Sequence, residues 1–274
     1  MLLFDYHSHH YRCGHAVGSL TDYCDAAEAL GLTTFGVSDH GPAYWLPGNH
    51  AQPQTQMAYT EVAAYVDEAH ALKAAYSGRL DVRVGLEADW IPGHEEPLAA
   101  LLGQHAFDYV LGSVHYILGQ SIFARGRWRT ENANDVYRAY YLEVCRAAKS
   151  GLFDIMSHLS AIEAYGPEID SVLSNDLYQM VAEAVAEGGC IVEINTSGYR
   201  KMPQTNEPFP NRKLIKALLA CRVPLTFSSD CHRPDEVGFG YERVLTMLQE
   251  LGSVSTGYAT TVQRGPIETI SVAC

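Results

Sequence analysis

Nowhere in these 274 residues does an apolar run approach the ~20 residues that a membrane-crossing helix needs. The N-terminus has no basic segment leading into an apolar stretch and a cleavage site, so no signal peptide is expected. Positive charge is scarce. Lysine and arginine number 19 against 32 aspartates and glutamates, a net charge of −13 with histidines neutral. A surface of that sign repels nucleic-acid phosphates and anionic lipid, so neither is an expected partner. The seven cysteines (13, 24, 145, 190, 221, 231 and 274) are odd in number, widely spread and never paired as Cys-x-x-Cys. That argues against a disulfide framework or a thiolate zinc site and for free thiols in a reducing cytoplasm. Also missing are Gly-x-Gly-x-x-Gly, a P-loop, Gly-x-Ser-x-Gly, low-complexity segments and linkers.

What the chain has is histidine, twelve in all, and half of them recur in one layout. Asp5-Tyr6-His7-Ser8-His9 closes the first apolar stretch, which opens near Leu2. His7 and His9 are two apart, so on a strand they point to one side. Later apolar runs end at Asp39-His40, Glu87, His115, His158 and Asp230-Cys231-His232. His15 lies in the loop after the first strand. His10, His50, His70, His94 and His105 fall outside the pattern and are expected to be surface or helix histidines.

Strand-like and helix-like runs alternate. Strands are expected over 33–40, 81–89, 107–116, 153–159, 190–196 and 223–229 after the first, with helices over 20–30, 57–76, 95–102, 134–149, 170–187, 211–220 and 241–251 between them. The tail, 257–272, alternates about Arg264-Gly265-Pro266 as a hairpin would. Seven βα units favour a parallel sheet. Candidate ligands from six of the seven strand ends meet only if the sheet closes, since an open sheet offers a crevice at its switch point alone. The expected fold is therefore a seven-stranded α/β barrel, a single domain over 1–274. Loops 41–56, 117–133 and 197–210 are long and polar enough to wall a pocket.

Nine nitrogen and oxygen donors result: His7, His9, His15, His40, Glu87, His115, His158, Asp230 and His232. They exceed one ion's needs and suit two or three ions of zinc, manganese or iron. Glu87, alone in a middle strand, is the natural bridge between cations. Cys231 alternates away from Asp230 and His232.

These motifs, in this order from Asp5 to His232, resemble the polymerase-and-histidinol-phosphatase (PHP) superfamily of metal-dependent phosphoesterases. Cys13-Gly14-His15-Ala16, Gly112-Ser113-Val114-His115-Tyr116 and Glu193 to Lys201 are most similar to its histidinol-phosphatases. The resemblance implies a distorted TIM-like barrel and a small phosphorylated substrate, L-histidinol phosphate. It implies one ion on His7, His9, Glu87 and Asp230, a second on Glu87, His115 and His158, and a third on His15, His40 and His232. Glu87, Asp230 and His232 would carry catalysis, and paired cations would activate water and clamp phosphoryl oxygens. Arg200 would grip the phosphate, with Arg125, Arg127 and Arg129 in reserve. Glu131 or Asp89 would hold the substrate ammonium, Tyr44, Trp45 or Tyr116 would face its imidazole, and Asp39 is one candidate acid for the leaving group. The chain departs from the family where Ser160-Ala161-Ile162-Glu163 replaces a basic residue after His158. Other phosphate monoesters, such as phosphotyrosine or a sugar phosphate, are the alternative substrates. An exonuclease role is disfavoured by the acidic charge.

Overall fold

The computed structural model describes residues 4–261 and 264–273. Strands and helices run in the order β1 (Phe4–Asp5), α1 (Leu20–Ala29), β2 (Thr34–Val37), α2 (Val62–Ala75), β3 (Asp81–Asp89), α3 (Glu95–Gly103), β4 (Tyr109–Ser113), β5 (Tyr116–Ile117), β6 (Gln120–Ser121), α4 (Ala133–Lys149), β7 (Ile155–Met156), α5 (Ser171–Gly188), β8 (Ile191–Asn195), α6 (Ser197–Lys201), α7 (Arg212–Ala220), β9 (Leu225–Ser228), α8 (Tyr241–Leu251), β10 (Ser253–Thr261) and β11 (Gly265–Ala273). Side chains that favour ends set several helix starts. Ser19 and Asp22 form a capping box on α1, and Asn132, Asp170 and Asn211 cap α4, α5 and α7.

Seven strands lie side by side and parallel in the order β1-β2-β3-β4-β7-β8-β9. Their last neighbours meet through a parallel bridge between Ser8 and Cys231, where His9 N–H donates to the Cys231 carbonyl at 2.9 Å. Asp5 strengthens that closure. Its fully buried carboxylate accepts from the backbone N–H groups of Ser229 (2.9 Å), Gly238 (3.0 Å) and His7 (3.4 Å). The barrel expected from the sequence is thus present, with an addition. The sheet runs on through an antiparallel hairpin, β11 then β10, to nine strands. This hairpin lies across the strands' starting ends, where Arg264 binds Asp154 just before β7 and Thr226 donates to the Glu268 carbonyl. Gly265 and Pro266, expected in the turn, belong to β11, and Leu2 lies outside the described residues.

Three other differences bear on the site. The strand expected over 153–159 shrinks to β7, because His158 and Ser160 take left-handed backbone, φ 25° and 74°. The strand over 107–116 breaks after Ser113, and Tyr116 opens the small β5–β6 hairpin instead. Inside the expected loop 197–210 lies the short helix α6.

Aromatic side chains fill the barrel, and glycines make room for them. Tyr109 is buried, donates to the Tyr6 carbonyl at 2.6 Å, and occupies the space that Cβ atoms would need at Gly36 and Gly85. The six described cysteines are free thiols, and among the described residues no helix is long and apolar enough to cross a membrane.

Candidate metal centre

All nine donors singled out in the sequence converge at the end of the barrel where the parallel strands finish. Glu87 is at their middle. Its Oε2 lies 3.3 Å from His7 Nε2, 3.5 Å from His9 Nε2 and 2.7 Å from His40 Nδ1. Its Oε1 lies 2.9 Å from His158 Nε2 and 3.6 Å from His115 Nε2. Asp230 Oδ1 completes the first group, 3.2 Å from His9 Nε2 and 3.9 Å from His7 Nε2. His15 and His232 face each other Nε2 to Nε2 at 3.0 Å. His40 stands between the groups. One of its nitrogens is on Glu87, while its ring is stacked 4.2 Å from that of His9 and lies 5.2 Å from that of His15.

Three of these histidines have a carboxylate behind them. His7 Nδ1 is 2.9 Å from Glu193, His9 Nδ1 is 3.2 Å from Asp39 and His115 Nδ1 is 2.8 Å from Asp89. An ionised carboxylate can only accept, so each neutral imidazole holds its proton on Nδ1 and turns the Nε2 lone pair inward. The inward atoms His7 Nε2, His9 Nε2 and Glu87 Oε2 are buried without a hydrogen-bond partner. Buried polar atoms are rarely left so. Divalent cations would satisfy them all, and the nitrogen and oxygen donor set suits zinc, manganese or iron. Groups of donors close enough to share an ion are His7, His9 and Asp230; His40, Glu87 and His115; and His9, His40 and His232. A further group joins His9, Asp39 and Cys13, but there the Cys13 thiol donates to the His10 carbonyl at 3.1 Å and burial raises its pKa.

The electrostatics divide the same residues. Burial works against ionising Glu87 and Asp230, but the surrounding histidines, with Lys201 beside Asp230, hold both well below the usual carboxylate range. Both are therefore anionic donors and cannot supply a proton. Burial and the adjacent His9, His40 and His15 push His232 down to about 2, and burial with His40 and His9 pushes His15 down to about 4. These two imidazoles are neutral and ready to donate lone pairs.

Around the donors lies a cavity of about 170 Å³ that also exposes Gln56, Asp89, Tyr116, Phe123 and Lys201. Among the described residues, Lys201 is the sole lysine or arginine lining it; its Nζ is 3.3 Å from Asp230 Oδ2. Arg200, expected there, points elsewhere. Its Nη2 donates to the carbonyls of Ser229 (3.1 Å) and Asp230 (2.9 Å), and its guanidinium packs on Phe239. Successive residues on a helix face different sides, so α6 sends Lys201 to the cavity and Arg200 to the wall behind Asp230. Arg127 is buried and paired with Glu131 at 3.0 Å, and the exposed Arg125 stacks on Tyr165; neither lines the cavity. Asp39 is fully buried behind His9 and His10 and is kept ionised despite burial by those two histidines, which removes it as the leaving-group acid. Asp89 does line the cavity, but both oxygens are engaged, one by His115 and one by Gln56.

Three contributors were given no role in the site by the sequence reading, although two of them lie in the stretch Glu193 to Lys201. His10, placed among the surface histidines, is fully buried, with Nδ1 2.6 Å from Asp39. Glu193 and Asn195 lie inside the barrel on β8; nothing in the local pattern CIVEINT distinguishes a ligand-supporting glutamate from a solvated one. Cys231 does turn away from the donors, with its thiol 3.9 Å from the His7 carbonyl.

Fold and donor set together define the class: a barrel metalloenzyme with its chemistry at the C-terminal ends of parallel strands. Residues 5–197 match the PHP domain. A probable histidinol-phosphatase of Deinococcus radiodurans is 35% identical over 262 residues, covering 91% of this chain and 94% of the relative. One of Schizosaccharomyces pombe is 27% identical, covering 95% and 89%. The histidinol phosphate phosphatase of Lactococcus lactis, solved with zinc, L-histidinol and phosphate, superposes with a TM-score of 0.76 at 19% identity, over 91% of this chain and 94% of that one. The chain belongs to the PHP domain family, in its histidinol-phosphatase branch.

Proposed function

We propose that this chain hydrolyses L-histidinol phosphate to L-histidinol and phosphate, as a single domain over 1–274 acting in a reducing cytoplasm, with neither nucleic acid nor membrane as partner. The observation that carries the reading is the convergence of nine donors on a mouth with one cationic side chain, in a chain 35% identical to a probable histidinol-phosphatase. The centre takes two to three divalent transition-metal ions. His7, His9, Glu87 and Asp230 would hold one, and Glu87, His115 and His158 a second. His15 and His232, with His40, would hold a third. When bound, such ions lower the pKa of water and neutralise phosphoryl charge.

The chain's own groups do the rest. Glu87 offers one oxygen to each of the first two groups, so it fixes their separation. Lys201 binds a phosphoryl oxygen from the side of Asp230, taking the place expected for Arg200. The closed floor admits a small monoester end-on, and Tyr116, beside Trp45 at a ring distance of 5.5 Å, flanks the leaving group.

Phosphate release by metal-loaded protein tests this against histidinol phosphate, phosphotyrosine and a nucleotide. Histidinol phosphate should be preferred by about tenfold or more in kcat/KM, the worth of one good polar contact. Equal or faster turnover of phosphotyrosine would remove the substrate assignment. Undiminished activity in metal-free protein would remove the metal centre as well.

A further inference from the structure

Of the seven parallel strands, β8 alone contributes none of the nine donors, yet its inward face is polar and completely buried at Glu193 and Asn195. Two donors, His158 and Asp230, are non-glycine residues in left-handed backbone, φ 25° and 52°. That conformation is disfavoured for an L-residue and persists where its surroundings hold it. The surroundings in both cases come from β8 and the helix that follows it.

We propose that Glu193 and Arg200 are positioning residues of the metal centre: Glu193 pins the backbone of His158 and sets the tautomer of His7, and Arg200 pins the backbone of Asp230. The inference rests on the metal-centre reading above and adds to it a division of labour within the barrel. Glu193 Oε1 accepts from the His158 N–H at 2.7 Å and from Asn195 Nδ2 at 2.7 Å. Its Oε2 accepts from His7 Nδ1 at 2.9 Å, and Oε1 lies 3.1 Å from the same nitrogen. One carboxylate thus ties a donor of the first group to a donor of the second. Asp39 does the same for the His9 ring and the His40 N–H (2.9 Å), whereas Asp89 backs the His115 ring. On the other side, Arg200 Nη2 bridges the carbonyls of Ser229 and Asp230, directly behind the Asp230 carboxylate. Lys201 meets the same carboxylate from the cavity side. Adjacent basic residues therefore separate into one that faces substrate and one that holds a ligand.

The Glu193 assignment has a consequence that bulk and packing do not share. In Glu193→Gln the His158 N–H and the Asn195 amide, both donors, require the side-chain oxygen to stay where Oε1 is now. The new NH2 group then takes the nearer position beside His7 Nδ1, 2.9 Å against 3.1 Å for the oxygen, which favours Nδ1 as an acceptor. The His7 proton moves to Nε2, the atom that should ligate. An isosteric change thus removes a ligand without opening a cavity.

The test uses full-length protein loaded with zinc, with zinc affinity read by chelator competition and content by elemental analysis. Glu193→Gln should bind zinc about 10–100-fold more weakly at one site or more, the usual loss when a ligand's supporting partner changes, while the metal-free protein keeps the circular dichroism of the folded wild type. Arg200→Ala should also weaken zinc binding, and Arg200→Lys should restore part of it. In zinc-saturated Arg200→Ala, inhibition by inorganic phosphate should match wild type, whereas a phosphate-gripping arginine would lose it. Zinc affinities of Glu193→Gln and Arg200→Ala both within about twofold of wild type would overturn the proposal, and should Arg200→Ala not fold, that result for Glu193→Gln alone would do so. Absence of zinc binding by wild type would instead sink the metal-centre reading itself.

Discussion

Glu87 reaches both halves of the centre from its middle. Its two oxygens divide between His7, His9 and His40 on one side and His115 and His158 on the other. Glu87→Ala should therefore cost more activity and more bound metal than His15→Ala, which removes a donor to one group. Equal losses, with metal content at the first two groups unchanged in both variants, would show that Glu87 is not a bridge. Lys201 is the residue to test for phosphate binding. Removing a charge-assisted hydrogen bond costs about 1.5–3 kcal/mol, or roughly ten- to a hundredfold in kcat/KM. Lys201→Ala should show that loss while retaining its metal, and inorganic phosphate should inhibit it less. Kinetics like those of wild type would leave the cavity without a protein cation for the phosphoryl group.

At the scale of elements, the strands position donors because the barrel interior packs tightly at their roots. Gly36 and Gly85, on neighbouring strands, both lie against the Tyr109 ring; a Cβ at Gly85 would sit 2.3 Å from a ring carbon. Gly85→Ala should destabilise the metal-free protein by about 1–3 kcal/mol, the usual cost of overpacking a core. Denaturant unfolding measures it, and an unchanged midpoint would mean that Tyr109 has room to move. Much of this architecture is visible in the chain itself. Alternating apolar runs and capped helices place the βα units, and α1, α4, α5, α7 and α8 lie within a residue or two of their expected bounds. The short α6 and the β5–β6 hairpin were not visible. Each is held by tertiary contacts around the mouth and is too brief to leave a periodic signature.

For the molecule as a whole, the centre draws side chains from six strand ends into one cluster of coupled imidazoles and carboxylates. Metal and pH should therefore be linked. In the metal-free chain burial lowers the His9 pKa, but hydrogen bonds to Asp230 and Asp39 and the charge of Glu87 outweigh it and raise it to about 9, above its ordinary 6.5. A raised folded-state pKa means that the bound proton stabilises the metal-free fold fully below about pH 6.5. That contribution is lost as pH rises through about 9. Metal needs the neutral ring, so the same rise removes its competitor. The gap in melting temperature between zinc-loaded and metal-free protein should accordingly widen from about pH 6.5 to 9. Loading in that range should also release protons, measurable by calorimetry in buffers of different ionisation enthalpy. A gap that narrows with pH would exclude His9 as a ligand.

The sequence by itself determined the class of fold and which donors meet at the mouth. Each donor follows an apolar run, and in a parallel barrel every such run ends at the same face, so linear order is enough to bring them together. The acidic balance and the scattered thiols were likewise readable without coordinates. Only the tertiary structure decided what stands behind the donors. His7 and Glu193 are 186 residues apart, and no local spacing reports such a pairing. The fully buried His10 looked like a surface histidine because burial is set by the elements packed over it. The exchange of roles between Arg200 and Lys201 has the same origin. Both are basic and adjacent, and the direction of a five-residue helix decides which one reaches the cavity and which one holds Asp230.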